Sequence, residues 1–182
     1  MNKGEQSDEA LFRRFRRGDG QAFETLYERY RQSLYLFLLR SCVERADADE
    51  LYQDAWSRVI TAAKPFQQGS FKAYIFRIAR NLLIDRHRRQ HLKPVNDDET
   101  VAEVCDPGKS PDEQAQEQDC SELLKRHLAD LPQEQREVFL LKEEAGLTLV
   151  QIAAMIDTGR ETVKSRLRYA LKQLRNLLEE CL

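Results

Sequence analysis

The chain has 182 residues, enough for one ordinary domain or two small ones. It is 41% hydrophobic and 33% charged, a polar balance that suits small helical units better than one large core. The formal net charge of −2 does not by itself mark a nucleic-acid binder, so only the distribution of charge can carry such a reading.

No apolar run approaches the roughly 18 residues that span a bilayer, so no membrane insertion is expected. The stretch Met1 to Glu9 is polar and holds no signal-peptide core, which makes a cytoplasmic chain the expectation. Its four cysteines, Cys42, Cys105, Cys120 and Cys181, form no CxxC pair. They read as unpaired thiols of a reducing compartment, with a Cys105–Cys120 thiol switch as the alternative.

Apolar spacing predicts helices throughout, and glycine and proline are scarce. Leu11, Phe12 and Phe15 open one apolar stripe, and Gly18-Asp19-Gly20 breaks it. A second stripe runs through Phe23, Leu26, Tyr27, Tyr30, Leu34, Phe37 and Leu38 at helical intervals. A third helix is predicted from about Ala46 to Ala63, burying Leu51, Ala55, Trp56 and Val59, with Pro65 ending it. After a polar loop, Gln67-Gln68-Gly69-Ser70, a long helix runs from about Phe71 to His91.

Composition then changes. Between Pro94 and Glu122 stand ten acids, three prolines and a single base, Lys109. Such a segment cannot bury a core and reads as a flexible acidic linker, with a helix starting late in it. Beyond it, Leu131-Pro132 opens a helix carrying Val138, Phe139 and Leu141, and a turn follows at Ala145-Gly146. Thr148 with Gln151 forms a capping-box pattern ahead of Ile152, Ala153 and Ile156. Asp157-Thr158-Gly159 makes a tight turn. A last helix, from about Glu161, is predicted to bury Val163, Leu167, Leu171, Leu174 and Leu178.

The expected fold is therefore all-α: two small helical domains, 1–93 and 122–182, joined by an acidic linker over 94–121.

Two segments carry chemistry. Thr148 to Lys172 has the layout of a helix-turn-helix, and its second helix keeps Arg160, Lys164, Ser165, Arg168 and Lys172 near one stripe. Those side chains can pair with phosphates or reach guanine edges, although a solvated charged face has the same composition. The helix from Phe71 to Lys93 has its core side at Ile75, Ile78, Ala79 and Leu82. Arg77, Arg80, Asn81, Arg88 and Arg89 point elsewhere, with Arg86, His87 and His91 nearby. Phe66, Phe71, Tyr74 and Phe76 set rings beside those bases, the combination that single-stranded DNA uses. Phe71 reads as core; for Tyr74, core and stacking both stand.

His87 and His91 lack a third ligand, and the arginines around them would repel a cation. No phosphate loop, nucleophile motif or metal cluster is found, so no enzyme, cofactor or metal is expected. The acids Asp49, Glu50 and Asp54 suit a docking surface better than a catalytic pair.

The sequence resembles the extracytoplasmic-function (ECF) group of bacterial sigma factors of the sigma-70 family over nearly its whole length. Asp47-Ala48-Asp49-Glu50-Leu51-Tyr52-Gln53-Asp54-Ala55-Trp56 resembles the family's polymerase-binding helix. Ser70-Phe71-Lys72-Ala73-Tyr74-Ile75-Phe76-Arg77-Ile78-Ala79-Arg80-Asn81 is similar to its promoter-melting segment. Leu131-Pro132, Gly146-Leu147-Thr148, Ile152-Ala153 and Thr162-Val163-Lys164-Ser165-Arg166-Leu167 match its carboxy-terminal region. The sequence departs from the family pattern at Tyr74, where tryptophan is usual, and at Tyr169 and Leu171, where arginines often stand.

The resemblance implies a sigma region 2 bundle and a sigma region 4 helix-turn-helix, with core RNA polymerase, promoter DNA and an anti-sigma factor as partners. It implies that Asp49, Glu50, Leu51, Gln53 and Asp54 bind polymerase. Phe66, Gln67, Gln68, Ser70, Tyr74, Arg77, Arg80, Asn81, Arg88 and Arg89 would meet the minus-ten element. Arg160, Glu161, Thr162, Lys164, Ser165, Arg166, Arg168 and Lys172 would meet the minus-thirty-five element. The competing readings are a stand-alone helix-turn-helix regulator, dimeric on paired half-sites, and a decoy that captures an anti-sigma protein. The polymerase-type motif and the acidic linker argue against the regulator.

Overall fold

The computed structural model describes residues 6–62, 69–90 and 123–180. All regular structure among the described residues is helical. In chain order the helices are α1 (Asp8–Phe15), α2 (Gly20–Ser41), α3 (Arg45–Thr61), α4 (Phe71–Gln90), α5 (residues 123–130), α6 (Gln133–Glu143), α7 (Leu149–Met155) and α8 (Arg160–Glu180). They form two compact units, one centred on α1 to α4 and the other on α5 to α8. The predicted acidic linker lies outside the described residues.

Local chemistry starts and stops the first helices. The Ser7 hydroxyl accepts from the Ala10 N–H at 3.3 Å, and Asp8 and Glu9 in the first turn suit the positive end of the helix dipole. Gly18, at φ 96°, supplies the left-handed residue that turns the chain after α1. Asp19 then caps α2 through the Ala22 N–H at 3.2 Å, while Arg14 reaches its other oxygen at 2.6 Å. The hydrogen bond from Arg14 is the main reason the Asp19 carboxyl sits below its ordinary value.

Aromatic side chains fill the first unit. Phe12 lies 5.1 Å from Phe71, Tyr30 packs edge-on to Phe71 at 5.5 Å, and Phe37 meets Phe76 edge-on at 5.4 Å, all between ring centroids. Full burial of each such ring contributes about 1.5–3 kcal/mol. Trp56 is buried, as its spacing predicts, edge-on to Phe23 at 5.7 Å.

Between α3 and α4 the packing is ionic. Asp47, only 7% exposed, accepts from Arg86, whose other nitrogen reaches Glu50 at 2.8 Å. Composition grouped Arg86 with the outward bases; the fold instead turns it toward α3.

In the second unit α6 and α7 pack on α8, with Leu128, Val138, Leu140, Leu141, Ile152, Met155, Val163, Ala170 and Leu174 buried. The expected stripe on α8 needs correction. Leu171 is 47% exposed and the seam runs through Ala170, one residue and about 100° earlier. Ile156 is half-buried, and Met155 takes the core position beside it.

The buried carboxylate yields a prediction. Asp47→Ala takes the buried partner from a mostly buried guanidinium and leaves it only the exposed Glu50, which should lower the stability of the first unit by about 3 kcal/mol. Glu50→Ala, at the exposed end of the same arginine, should cost about 1 kcal/mol or less. Trp56, the single tryptophan of the chain, reports both in urea titrations.

Candidate nucleic-acid interface

The α7–turn–α8 segment is built by caps. The Thr148 hydroxyl accepts from the Gln151 N–H at 3.2 Å, and Gln151 Oε1 accepts in return from the Thr148 N–H at 2.9 Å. This is the predicted capping box. Asp157, at φ 53°, makes the left-handed step, and the Gly159 carbonyl receives the Val163 N–H at 3.1 Å as α8 begins.

On α8, burial of Val163, Ala170 and Leu174 leaves Arg160, Glu161, Thr162, Lys164, Arg168 and Lys172 exposed. Lys164, Arg168 and Lys172 recur every fourth residue and make one cationic line. Lys164 approaches Glu161 only at 3.9 Å, and the Arg168 guanidinium lies 5.2 Å from the Tyr169 ring centre. Ser165 is half-buried and donates to the Thr162 carbonyl at 2.9 Å. Arg166 departs from the expected stripe: it is half-buried and paired with Glu134 of α6 at 2.5 Å. That pairing ties α8 to α6 and turns the guanidinium away from the line of Lys164 and Arg168.

In the first unit, Tyr74, Arg77, Asn81 and Arg88 follow at intervals of three, four and seven along α4 and share a side. Arg77, Asn81, Arg88 and Arg89 are exposed; Arg80 is half-buried. Arg88 reaches Asp85 at 3.4 Å. Tyr74 is half-buried, with its ring 6.0 Å from Phe12 and 6.2 Å from Phe71. It therefore belongs in part to the core and in part to the surface. Burial raises its phenol above the ordinary value, and the Arg16 charge opposes that shift.

Ser70 is bound within the fold. Its hydroxyl accepts from the Ala73 N–H at 3.4 Å, and Glu9 of α1 accepts from the Phe71 N–H at 3.1 Å, so both cap α4. The other predicted loop residues, Phe66, Gln67 and Gln68, lie outside the described residues.

The outer face of α3 divides likewise. Leu51 is 3% exposed, so its side chain belongs to the core and not to a docking surface. Asp49 accepts from the Tyr35 hydroxyl at 2.8 Å, and Glu50 is held by Arg86. Gln53 and Asp54 are exposed. Among the described residues no group of three metal-ligating side chains occurs, and no helix is long and apolar enough to cross a membrane. Cys42 is a free thiol; the other cysteines lie outside the described residues.

Sequence reasoning missed the Asp47–Arg86 pair. Its signal was angular: Arg86 follows Ile75, Ala79 and Leu82 at intervals of four, three and four on the core side of α4.

A helix-turn-helix with a cationic second helix stands in one chain with an aromatic and arginine-faced bundle, a composition suited to binding nucleic acid. Residues 26–92 match the family model Sigma-70 region 2, and residues 127–176 match Sigma-70, region 4. The chain belongs to the sigma-70 family, in its ECF group.

Among similar proteins, the ECF RNA polymerase sigma factor SigW of Bacillus subtilis is 25% identical, with 91% of this chain and 93% of that protein covered. The ECF RNA polymerase sigma factor SigM of Mycobacterium tuberculosis is 29% identical over 96% of this chain and 86% of its own length. The solved sigma factor RpoE of Bartonella quintana, in complex with the anti-sigma factor NepR, aligns with a TM-score of 0.68 at 25% identity, covering 86% of this chain and 96% of its own.

The capping role of Ser70 is open to test. Ser70→Ala should cost about 1 kcal/mol of stability, whereas Ser70→Asp, which retains a capping oxygen, should cost less. Trp56-monitored unfolding of the two variants gives the comparison.

Proposed function

We propose that this sigma factor binds core RNA polymerase, brings it to promoters of a stress- or signal-responsive gene set, and opens the strands there. The observation that carries the reading is the presence of two different cationic helix faces in one chain. The α8 face is a line of long side chains without flanking core rings, suited to duplex DNA in the major groove. The α4 face sets Tyr74 beside Arg77 and Asn81, suited to unpaired bases and their phosphates.

The chain works by binding and makes or breaks no covalent bond. Lys164, Arg168 and Lys172 of α8 hold the upstream element. Tyr74, Arg77 and Asn81 receive the unpaired strand of the minus-ten element, where taking a base out of the stack costs a few kcal/mol. Polymerase binding through the α3 surface, with Gln53 and Asp54 outermost, supplies the energy that the two small units lack. An anti-sigma factor is a further partner of this chain, by analogy with the Bartonella quintana relative solved in complex with NepR. These partners place the work in the cytoplasm.

Run-off transcription of genomic fragments with core polymerase, with and without this chain, tests the reading. New, discrete transcripts that require the chain are expected; their absence on all fragments would remove it. Two substitutions separate the steps. Lys164→Ala should weaken closed-complex binding by about 1–3 kcal/mol if its contact is to a base edge. Asn81→Ala should leave closed binding nearly unchanged and reduce permanganate reactivity of unpaired thymines. Equal weakening of closed binding by both variants would count against the division of roles.

A further inference from the structure

The end of α1 carries a basic cluster that none of the assignments above uses. Arg13, Arg14, Arg16 and Arg17 fall within five residues, and all four are exposed. Two of them have local duties. Arg14 is paired with Asp19, and Arg13 Nε donates to the Glu9 carbonyl at 3.3 Å in the last turn of the helix. Arg16 and Arg17 have no side-chain partner among the described residues.

Their position is fixed by backbone. The Arg16 N–H bonds to the Phe12 carbonyl at 3.0 Å and the Arg17 N–H to that of Arg14 at 2.9 Å, with Gly18 turning the chain beyond. Arg16 lies one helical turn past Phe12, about 6 Å along the axis and on nearly the same side. Phe12 is the residue through which α1 meets the Phe71 and Tyr74 rings of α4. Phe12 lies 6.0 Å from the Tyr74 ring, so Arg16, one turn on and on nearly the same side, is on the face of α1 turned to Tyr74, and its positive charge opposes the rise of the Tyr74 phenol. One turn along α4 from Tyr74 stands exposed Arg77. Exposed arginines from two helices thus belong to the neighbourhood of one half-buried ring.

We propose that Arg16 is a phosphate-binding residue for single-stranded DNA, so that α1 and α4 together grip the unpaired strand around Tyr74. A base laid on the exposed part of the Tyr74 ring would bring its flanking phosphates toward Arg77 of α4 and Arg16 of α1. Arg17 adds to the local potential. Arg16 precedes residue 26, where the match to the region 2 family model begins, so that match does not assign it. The inference rests on the α4 face receiving unpaired DNA.

The test uses the polymerase assembled with the full chain on a promoter fragment taken from the run-off experiment, its minus-ten region pre-melted. Affinity is measured across 50–200 mM salt. Each phosphate contact to a single strand contributes about 0.7 to the slope of log affinity against log salt. Arg16→Gln should lower that slope by about 0.7, so that the deficit against wild type shrinks roughly threefold between the two salt limits. Arg16→Lys should restore the slope, and thermal melts should be unchanged for both. A slope for Arg16→Gln equal to that of wild type overturns the inference and leaves the sigma reading standing. So does a loss of core-polymerase capture in its place, since that would assign Arg16 to a protein contact. If wild type itself supports no promoter-dependent transcription, the functional reading fails and this one with it. Should Arg16→Gln prove unstable, Arg16→Lys and Arg16→Met, which retain the aliphatic stem, carry the same comparison of slopes.

Discussion

A guanidinium on the core side of a helix has to be paired, because an unpartnered charge there costs several kcal/mol. Arg86 is in that position. It continues the Ile75, Ala79 and Leu82 line of α4 and meets Asp47 and Glu50 of α3. Hydrophobic packing alone is tolerant of small slides between helices; an arginine held by two carboxylates is less so. The helix assigned to polymerase and the helix assigned to the unpaired strand are therefore held in one register. The same pairing withdraws acceptors from the proposed docking surface: Asp47 is buried and one oxygen of exposed Glu50 is engaged, while Gln53 and Asp54 stay exposed one turn further on.

Much of the fold could be read from spacing, because apolar period and capping residues are local signals. Ser7, Asp19 and Thr148 each cap the helix that follows them, and the breaks at Gly18 and Asp157 fall where left-handed backbone is observed. What spacing does not give is the centre of a stripe. On α8, Leu171 and Leu174 both fit an apolar series, yet Ala170 is the buried residue and Leu171 lies on its flank. A small residue in the seam brings helices close together and carries little apolar signal of its own.

The candidate sites were less legible for a related reason. Residue type names the chemistry a side chain can do, but its angle on the helix decides which partner it meets. Arg166 and Lys164 are both cations in one matching motif, and two positions, about 200° of helix, separate them. One closes on Glu134 and the other faces outward. Leu51 stands in the polymerase-type motif for the opposite reason: its side chain completes the core beneath the acids that form the surface.

A net charge of −2 is compatible with the two DNA-facing surfaces proposed, because attraction at short range depends on local arrangement. With a screening length of about 8–10 Å, the acids predicted for the linker weigh on a phosphate only when they come near it. Along the roughly 18 Å from Arg77 to Arg89 on α4, Arg77 stands within that range of Arg80 and Arg88 within that range of Arg89, while Asp85 is the one acid among residues 71–90. The screened sum over such a helix is positive although the sum over the chain is not. In the role proposed for α4, ring and cation divide the work. The arginines would hold the backbone of any sequence, and Tyr74 would offer a stacking surface only to a base that has left the duplex. Cationic attraction alone would favour paired and unpaired DNA alike, so the proposed preference for the open strand has to come from the exposed part of that ring and the groups beside it. The half-buried placement of Tyr74 suits that proposed role: Phe12 and Phe71 pack 6.0 and 6.2 Å from its ring, so less conformational freedom would remain to be lost when a base is laid on its exposed part.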